Sequence, residues 1–149
     1  MCLITNKNKL SEVNKPLTVY KVLYIKCQHD SDGNGNIEQE IFLHSPYQFF
    51  LYKVNTLYKV KKINIHERIN KYISMLHPEY PNRVEVGFHS FLRRKDAQLA
   101  SEQLGYSIFG KSIVVKCTIP TGTKIITGVW GDDGTTKIIV SDKIIIYNK

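Results

Sequence analysis

The last third of this chain restricts its fold most, because runs of β-branched residues follow one another there with only turn chemistry between them. The runs SIVVKCTI (112–119), TKIITGVW (123–130), TKIIV (136–140) and KIIIY (143–147) are separated by PTGT, GDDG and SD. Val, Ile and Thr lose side-chain freedom in a helix and pack well on a pleated surface. Gly, Pro, Asp and Ser at this spacing reverse the chain from one strand to the next, so the segment predicts a C-terminal β-meander.

Upstream, LTVYKVLYIKC (17–27) reads as a central strand, and HDSDGNGN (29–36) is a turn before IEQEIFLH (37–44) resumes an extended pattern. Ser45 and Pro46 open a loop, after which FFLYKV and TLYKV, between Phe49 and Val60, read as two short strands. Ile69, Tyr72, Ile73 and Leu76 recur at spacings of three and four, which predicts a short helix running from His66 to before Pro78. RVEVGFHSF (83–91) alternates as a strand with Val84, Val86 and Phe88 on one face. RRKDAQLASEQL (93–104) is rich in helix formers, turns Ala97, Ala100 and Leu104 inward and meets Gly105 as a C-cap.

At 149 residues and 42% hydrophobic, the chain suits one domain over 1–149 with its own core, residues 1–16 being a loosely ordered lead-in. The expected class is α+β: a mostly antiparallel, strongly twisted sheet, two short helices and the meander. No apolar stretch reaches the roughly 18 residues of a membrane-spanning helix, and MCLITNKNKL lacks a signal peptide's apolar region, so a soluble protein of the cytoplasm is expected. Cys2, Cys27 and Cys117 are odd in number and far apart, which fits a reducing compartment and supports neither a disulfide framework nor a zinc site.

The net charge of +8 comes from 17 Lys and 4 Arg against 13 acidic residues, and a surplus of this size favours anionic partners. Lys, Ile and Asn together supply 45 residues, a bias that AT-rich codons produce on their own, so the charge argument is discounted. The densest positive segment is 53–72, where Lys53, Lys59, Lys61, Lys62, Arg68 and Lys71 interleave with Tyr52, Tyr58 and Tyr72. Without an RNP, KH or helix-turn-helix pattern, this reads as a solvated surface over a tyrosine-containing core, and nucleic acid is the less favoured partner.

Two motif matches fail on their surroundings. GYSIFGKS, Gly105 to Ser112, satisfies the P-loop expression, yet a helix precedes it and a β-branched strand follows, the reverse of what a phosphate cradle needs. It reads as a helix-to-strand turn. Asp30, Asp32, Asn34, Gly35, Ile37 and Glu38 fit an EF-hand loop, but Ile41 stands where a bidentate Glu is required. The five His residues form no HxH, HxxxH or HExxH pair, so no metal site is expected. Cys2 in MCLI lacks the tight turn that follows an N-terminal amidotransferase nucleophile.

Read end to end, an MCLIT start, TVYKVLY (18–24), SPYQFFLYKVNTLYKV (45–60), VEVGFHSF (84–91), KCTIPTGT (116–123) and SDKIIIY (141–147) resemble a set of small proteins of gut bacteria and their phages. The resemblance implies an α+β domain and a mobile-element setting. A fainter likeness is to mono-ADP-ribosyltransferases, with VYKVL similar to their first strand, FHSF to the Ser-containing strand and IPTGTK to the approach to the third. Lys21 stands where those enzymes carry Arg, and no Glu pair lies near Ser141, Asp142 and Lys143, so the likeness implies the skeleton without its carboxylate.

With no reactive constellation, the expected function is non-enzymatic. A phage-like protein would hold an anionic small ligand, such as a nucleotide-derived host signal, and sequester it without a cofactor. The candidate binding residues are Tyr20, Lys21, Tyr47, His89, Ser90 and Lys111, which flank the expected ends of central strands and supply cation, ring and hydrogen bond. The alternatives are a structural or interaction component that meets a host or viral protein, or a second copy of itself, through strand edges, and an ADP-ribosyltransferase-like enzyme with an unfamiliar site.

Overall fold

The computed structural model describes residues 3–26, 42–44, 51–68, 77–104, 106–107, 110–131 and 133–146. Its two longest strands are β3 (Leu17–Lys26) and β11 (Gly110–Ile119), paired antiparallel from Lys111 opposite Ile25 to Ile119 opposite Leu17. Both faces of this ladder are apolar. On β3, Leu17, Val19, Leu23 and Ile25 join one core with Val115, Cys117 and Ile119, while Tyr20 and Val22 join a second with Val114. A strand covered on both faces carries apolar side chains at successive positions rather than alternate ones, which is what VYKVLYI provides, with Lys21 as the exception.

The other strands among the described residues are β1 (Leu3–Thr5), β2 (Ser11–Glu12), β4 (Phe42–His44), β5 (Leu51–Tyr52), β6 (Leu57–Lys59), β7 (His66–Glu67), β8 (Asn82–Val84), β9 (Phe88–Phe91), β10 (Tyr106–Ser107), β12 (Lys124–Trp130), β13 (Lys137–Ser141) and β14 (Lys143–Ile146). They form one sheet in the order β6-β14-β11-β3-β9-β13-β12-β1-β8-β7, and each of these pairings is antiparallel. The lead-in expected to be loose supplies β1, which lies between β12 and β8 and buries Leu3, Ile4 and Thr5.

The C-terminal third is not a meander. β12 and β13 do form a hairpin, closed by Asp133, whose Oδ1 accepts from the backbone N–H of Thr135 and of Thr136, each at 2.9 Å. β11 pairs instead with β3 and β14, and β14 continues β13 past Asp142 without folding back on it. Ile139 of β13 and Ile144 and Ile146 of β14 all face the first core, so the inward positions switch from odd to even at Asp142. One extra residue re-aims the strand as a β-bulge does, and the chain leaves β9 and β12 for β11 and β6. Turn residues fix where a chain bends, not which strand it joins next.

One helix, α1 (Arg94–Leu104), stands among the described residues, and none there is long and apolar enough to cross a membrane. Ala97 and Ala100 press it against Val22 and Phe91 in the second core. Arg93 forks onto Asp96 in its first turn, Nε to Oδ2 at 2.8 Å and Nη2 to Oδ1 at 3.1 Å, holding a carboxylate where the helix dipole favours one. The other expected helix begins at β7 instead, and its residues 69–76 lie outside the described set. β4 runs antiparallel to the end of β3, with His44 opposite Tyr24 and Phe42 opposite Lys26.

RVEVGFHSF is two strands, not one. Gly87 adopts φ +130°, and the break sends Val84 to the second core, Phe88 to the first and leaves Val86 49% exposed. A second glycine acts through space: a Cβ on Gly128 of β12 would stand 2.2 Å from the Ile4 carbonyl oxygen and 2.8 Å from Leu3 Cδ2. Gly128→Ala is therefore expected to destabilise the fold by about 1–3 kcal/mol, read as a lower urea midpoint at unchanged slope.

Candidate functional site

Lys21 sits on the inward row of β3 between Val19 and Leu23, and only 7% of it is exposed. Its ammonium donates to the backbone carbonyl of His89 at 2.5 Å and lies 5.6 Å from the centroid of the Tyr52 ring. Among the described residues no carboxylate comes within ion-pair distance of it, and the buried carboxylate there, Asp96, is already held by Arg93. An ammonium has three N–H donors, so this one is partly satisfied and uncompensated in charge. Burial pulls its pKa down to about 8, an effect that the neighbouring Cys117 partly opposes.

Two hydroxyls share this core side. The pairing of Tyr20 with Phe91 sets β3 against β9, and side-chain alternation then puts Ser90 beside Lys21 on the inner row with Phe88. Ser141, on the same row of β13 as Ile139, lies opposite Phe88. Both serines are fully buried, and neither Oγ has a hydrogen-bond partner among the described residues. Buried hydroxyls without partners cost stability. Cys117 donates its thiol to the Val115 carbonyl at 3.6 Å, and burial pushes its pKa up to about 12; burial likewise raises Tyr52. Both remain neutral near pH 7, leaving Lys21 as the charge of this core.

Of the residues proposed from sequence, Lys21 and Ser90 come together. His89 contributes its carbonyl oxygen but not its ring, which is buried on the other face with Nδ1 3.2 Å from the Gly87 carbonyl and Nε2 3.0 Å from the Val84 carbonyl, the neutral ring donating to one of the two. The imidazole clamps the arch between β8 and β9. Tyr20 lies on the opposite side of β3 from Lys21, half-buried against the second core and across from Lys116. Lys111 is exposed, paired with Ile25 and with Tyr106 of β10. Tyr47 lies outside the described residues.

The P-loop match resolves into a hairpin between β10 and β11 rather than the helix-to-strand turn expected. Ser112 is buried in β11, where its hydroxyl donates to the Ser101 carbonyl at 2.7 Å and pins α1 to the sheet. The EF-hand match at 30–41 lies outside the described residues. Among the described residues no three His, Cys, Asp or Glu side chains gather as metal ligands. A groove of about 370 Å³ is lined by Glu67, Arg68, Pro78, Tyr80, Pro81 and Asn82, none of them proposed from sequence. Arg68 there donates to the His77 and Tyr80 carbonyls at 3.1 and 2.9 Å, bracing the loop.

Ser141, Tyr52 and Cys117 were missed in the sequence. Ser141 looks like part of a Ser-Asp turn, and its signal is that it follows the unbroken apolar run Ile138, Ile139, Val140. Comparison with protein-family models, with curated proteins and with solved structures finds no match in any of the three.

The pH dependence of folding follows from two lowered pKa values. Lys21 drops from 10.5 unfolded to about 8 folded, so its burial penalty, about 3 kcal/mol, acts fully below pH 8 and is relieved as pH rises towards 10.5. Lys21→Met is expected to be more stable than the wild type at pH 7, with the difference narrowing above pH 8, measured by urea denaturation from pH 6.5 to 9.5. Burial also lowers His89, against its two carbonyl bonds, to about 4 from 6.5. Stability is accordingly lost as pH falls from about 6.5 to 4, and His89→Gln should flatten that limb of a thermal-melting profile.

Proposed function

We propose that this protein binds a small anionic ligand without turning it over, through the inner face of the β3, β9 and β13 strands. The observation that carries the reading is that, among the described residues, Lys21 is a buried ammonium with no counter-ion on the same core face as two buried hydroxyls with no partner, Ser90 and Ser141. One cation and two O–H donors match the needs of a phosphate or carboxylate group, and a low-dielectric setting strengthens each contact. The Tyr52 ring presents its face to the cation. The groups gathered suit holding rather than reacting, since no carboxylate or imidazole ring of the described residues faces them to move a proton. In the mobile-element setting that the resemblance implies, a nucleotide-derived host signal is the ligand class, and removing it from solution is the action.

Binding requires Lys21 protonated, so affinity is expected to stay level below pH 8 and to fall about tenfold per pH unit above it. Isothermal titration with inorganic phosphate, AMP and ADP at pH 7 and pH 9 reads this directly. Lys21→Met should abolish the heat of binding while keeping the fold, and Ser90→Ala or Ser141→Ala should weaken it. Retained affinity in Lys21→Met would sink the reading.

A further inference from the structure

Among the described residues, part of the sheet is uncovered on the side away from Lys21. Ile144 and Ile146 point into the first core, so Lys143 and Ile145 of β14 point out, where they pair with Lys59 and Leu57 of β6. Val115 and Cys117 point in, so Lys116 of β11 points out, opposite Tyr20 of β3. α1 covers this side only near the far end of β11, through the Ser101 and Ser112 hydroxyls at 2.9 Å. Beyond it Lys59 and Lys116 are exposed, Lys143, Ile145 and Tyr20 are partly exposed and Leu57 is 45% exposed.

The outward positions of these four strand segments carry three lysines and no carboxylate, and none of the three makes an ion pair with a described residue. Lys59 and Lys143 are direct cross-strand partners, an arrangement that repels and destabilises the sheet unless an anion lies over it. Leu57 and Ile145 lie between the Lys59–Lys143 pair and Lys116, and the Tyr20 ring lies on the far side of Lys116. Adjacent strands are about 4.8 Å apart, so the lysines span roughly 10–15 Å of a flat surface, a match for a few successive phosphates with bases resting on Tyr20, Leu57 and Ile145. A flat sheet face suits an unpaired strand, whose bases are free to lie on it.

We infer that the outer face of β6, β14, β11 and β3 is a binding surface for single-stranded nucleic acid, contacted through Lys59, Lys116 and Lys143. The surface is separate from the Lys21 site and shares only β3 with it, on the opposite side of that strand. Register, not sequence proximity, assembles it, since Lys116 and Lys143 lie far outside the basic segment 53–72.

Fluorescence anisotropy with labelled dT20 and rU20 tests this on the full chain. Three phosphate contacts predict a slope of about −2 for log affinity against log salt, a loss of about twentyfold between 50 and 200 mM NaCl. The triple variant Lys59→Ala, Lys116→Ala, Lys143→Ala should bind at least tenfold more weakly at 50 mM. A control triple of equal charge change, Lys9→Ala, Lys95→Ala, Lys137→Ala, should stay within twofold. Should the face triple fail to fold, Lys116→Ala alone, at an exposed position, is expected to weaken binding threefold or more. No binding by the wild type at 50 mM, equal losses in both triples, or competition by polyglutamate as effective as by oligonucleotide would each overturn the proposal, the last pointing to an acidic protein surface.

Discussion

The ladder between β3 and β11 carries the rest of the molecule, because it is the place where both cores meet. Each strand gives alternate residues to the two sides, so the first core, with Val19, Leu23, Val115 and Cys117, and the second, with Val22 and Val114, are fixed relative to each other by backbone hydrogen bonds. Among the described residues β9, β12 and β13 likewise face both cores. α1 and β1 complete the second core, whereas β5, β6 and β14 complete the first. Against that apolar background Lys21 is the exception that needs explaining, since a charge on the inner row of the central strand opposes the burial that holds the ladder together.

Much of this architecture was legible. β-branched alternation located β3, β11, β12, β13 and β14 nearly to their ends, and the spacing of Ala97, Ala100 and Leu104 located α1 and its inward face. Connectivity was not legible, because a turn motif specifies a bend while partner choice depends on which apolar rows have yet to be covered. The single residue Asp142 decides that β14 joins β11, and nothing in the dipeptide Ser-Asp distinguishes this from a tight hairpin. The strand 83–91 was misread for a related reason: alternation continues across Gly87 in the sequence, but the positive φ there swaps faces.

The candidate site was half legible. Lys21 and Ser90 are polar residues inside apolar strands, and that contrast marks them in the sequence itself. Ring direction carries no such mark, so His89 could be placed near Lys21 but not seen to reach it by its main chain alone. Tyr20 and Lys21 illustrate the same limit. Adjacent in sequence, they belong to opposite surfaces, one beside Lys116 under solvent and one beside Ser90 in the interior.

The switch at Asp142 also sets where this chain can change length over generations. Residues before it count inward positions on odd numbers and residues after it on even ones, a change of parity that one extra residue absorbs, so loss of that residue would leave Ile144 and Ile146 inward but remove the bulge that carries the chain from β9 and β12 to β11 and β6. The Gly131 to Thr136 turn, which joins two strands at the surface, carries no such parity, and insertions there lengthen a loop without moving a side chain across the sheet. Length variation in descendants of this sequence should therefore gather at the hairpin tip and spare the bend that follows β13.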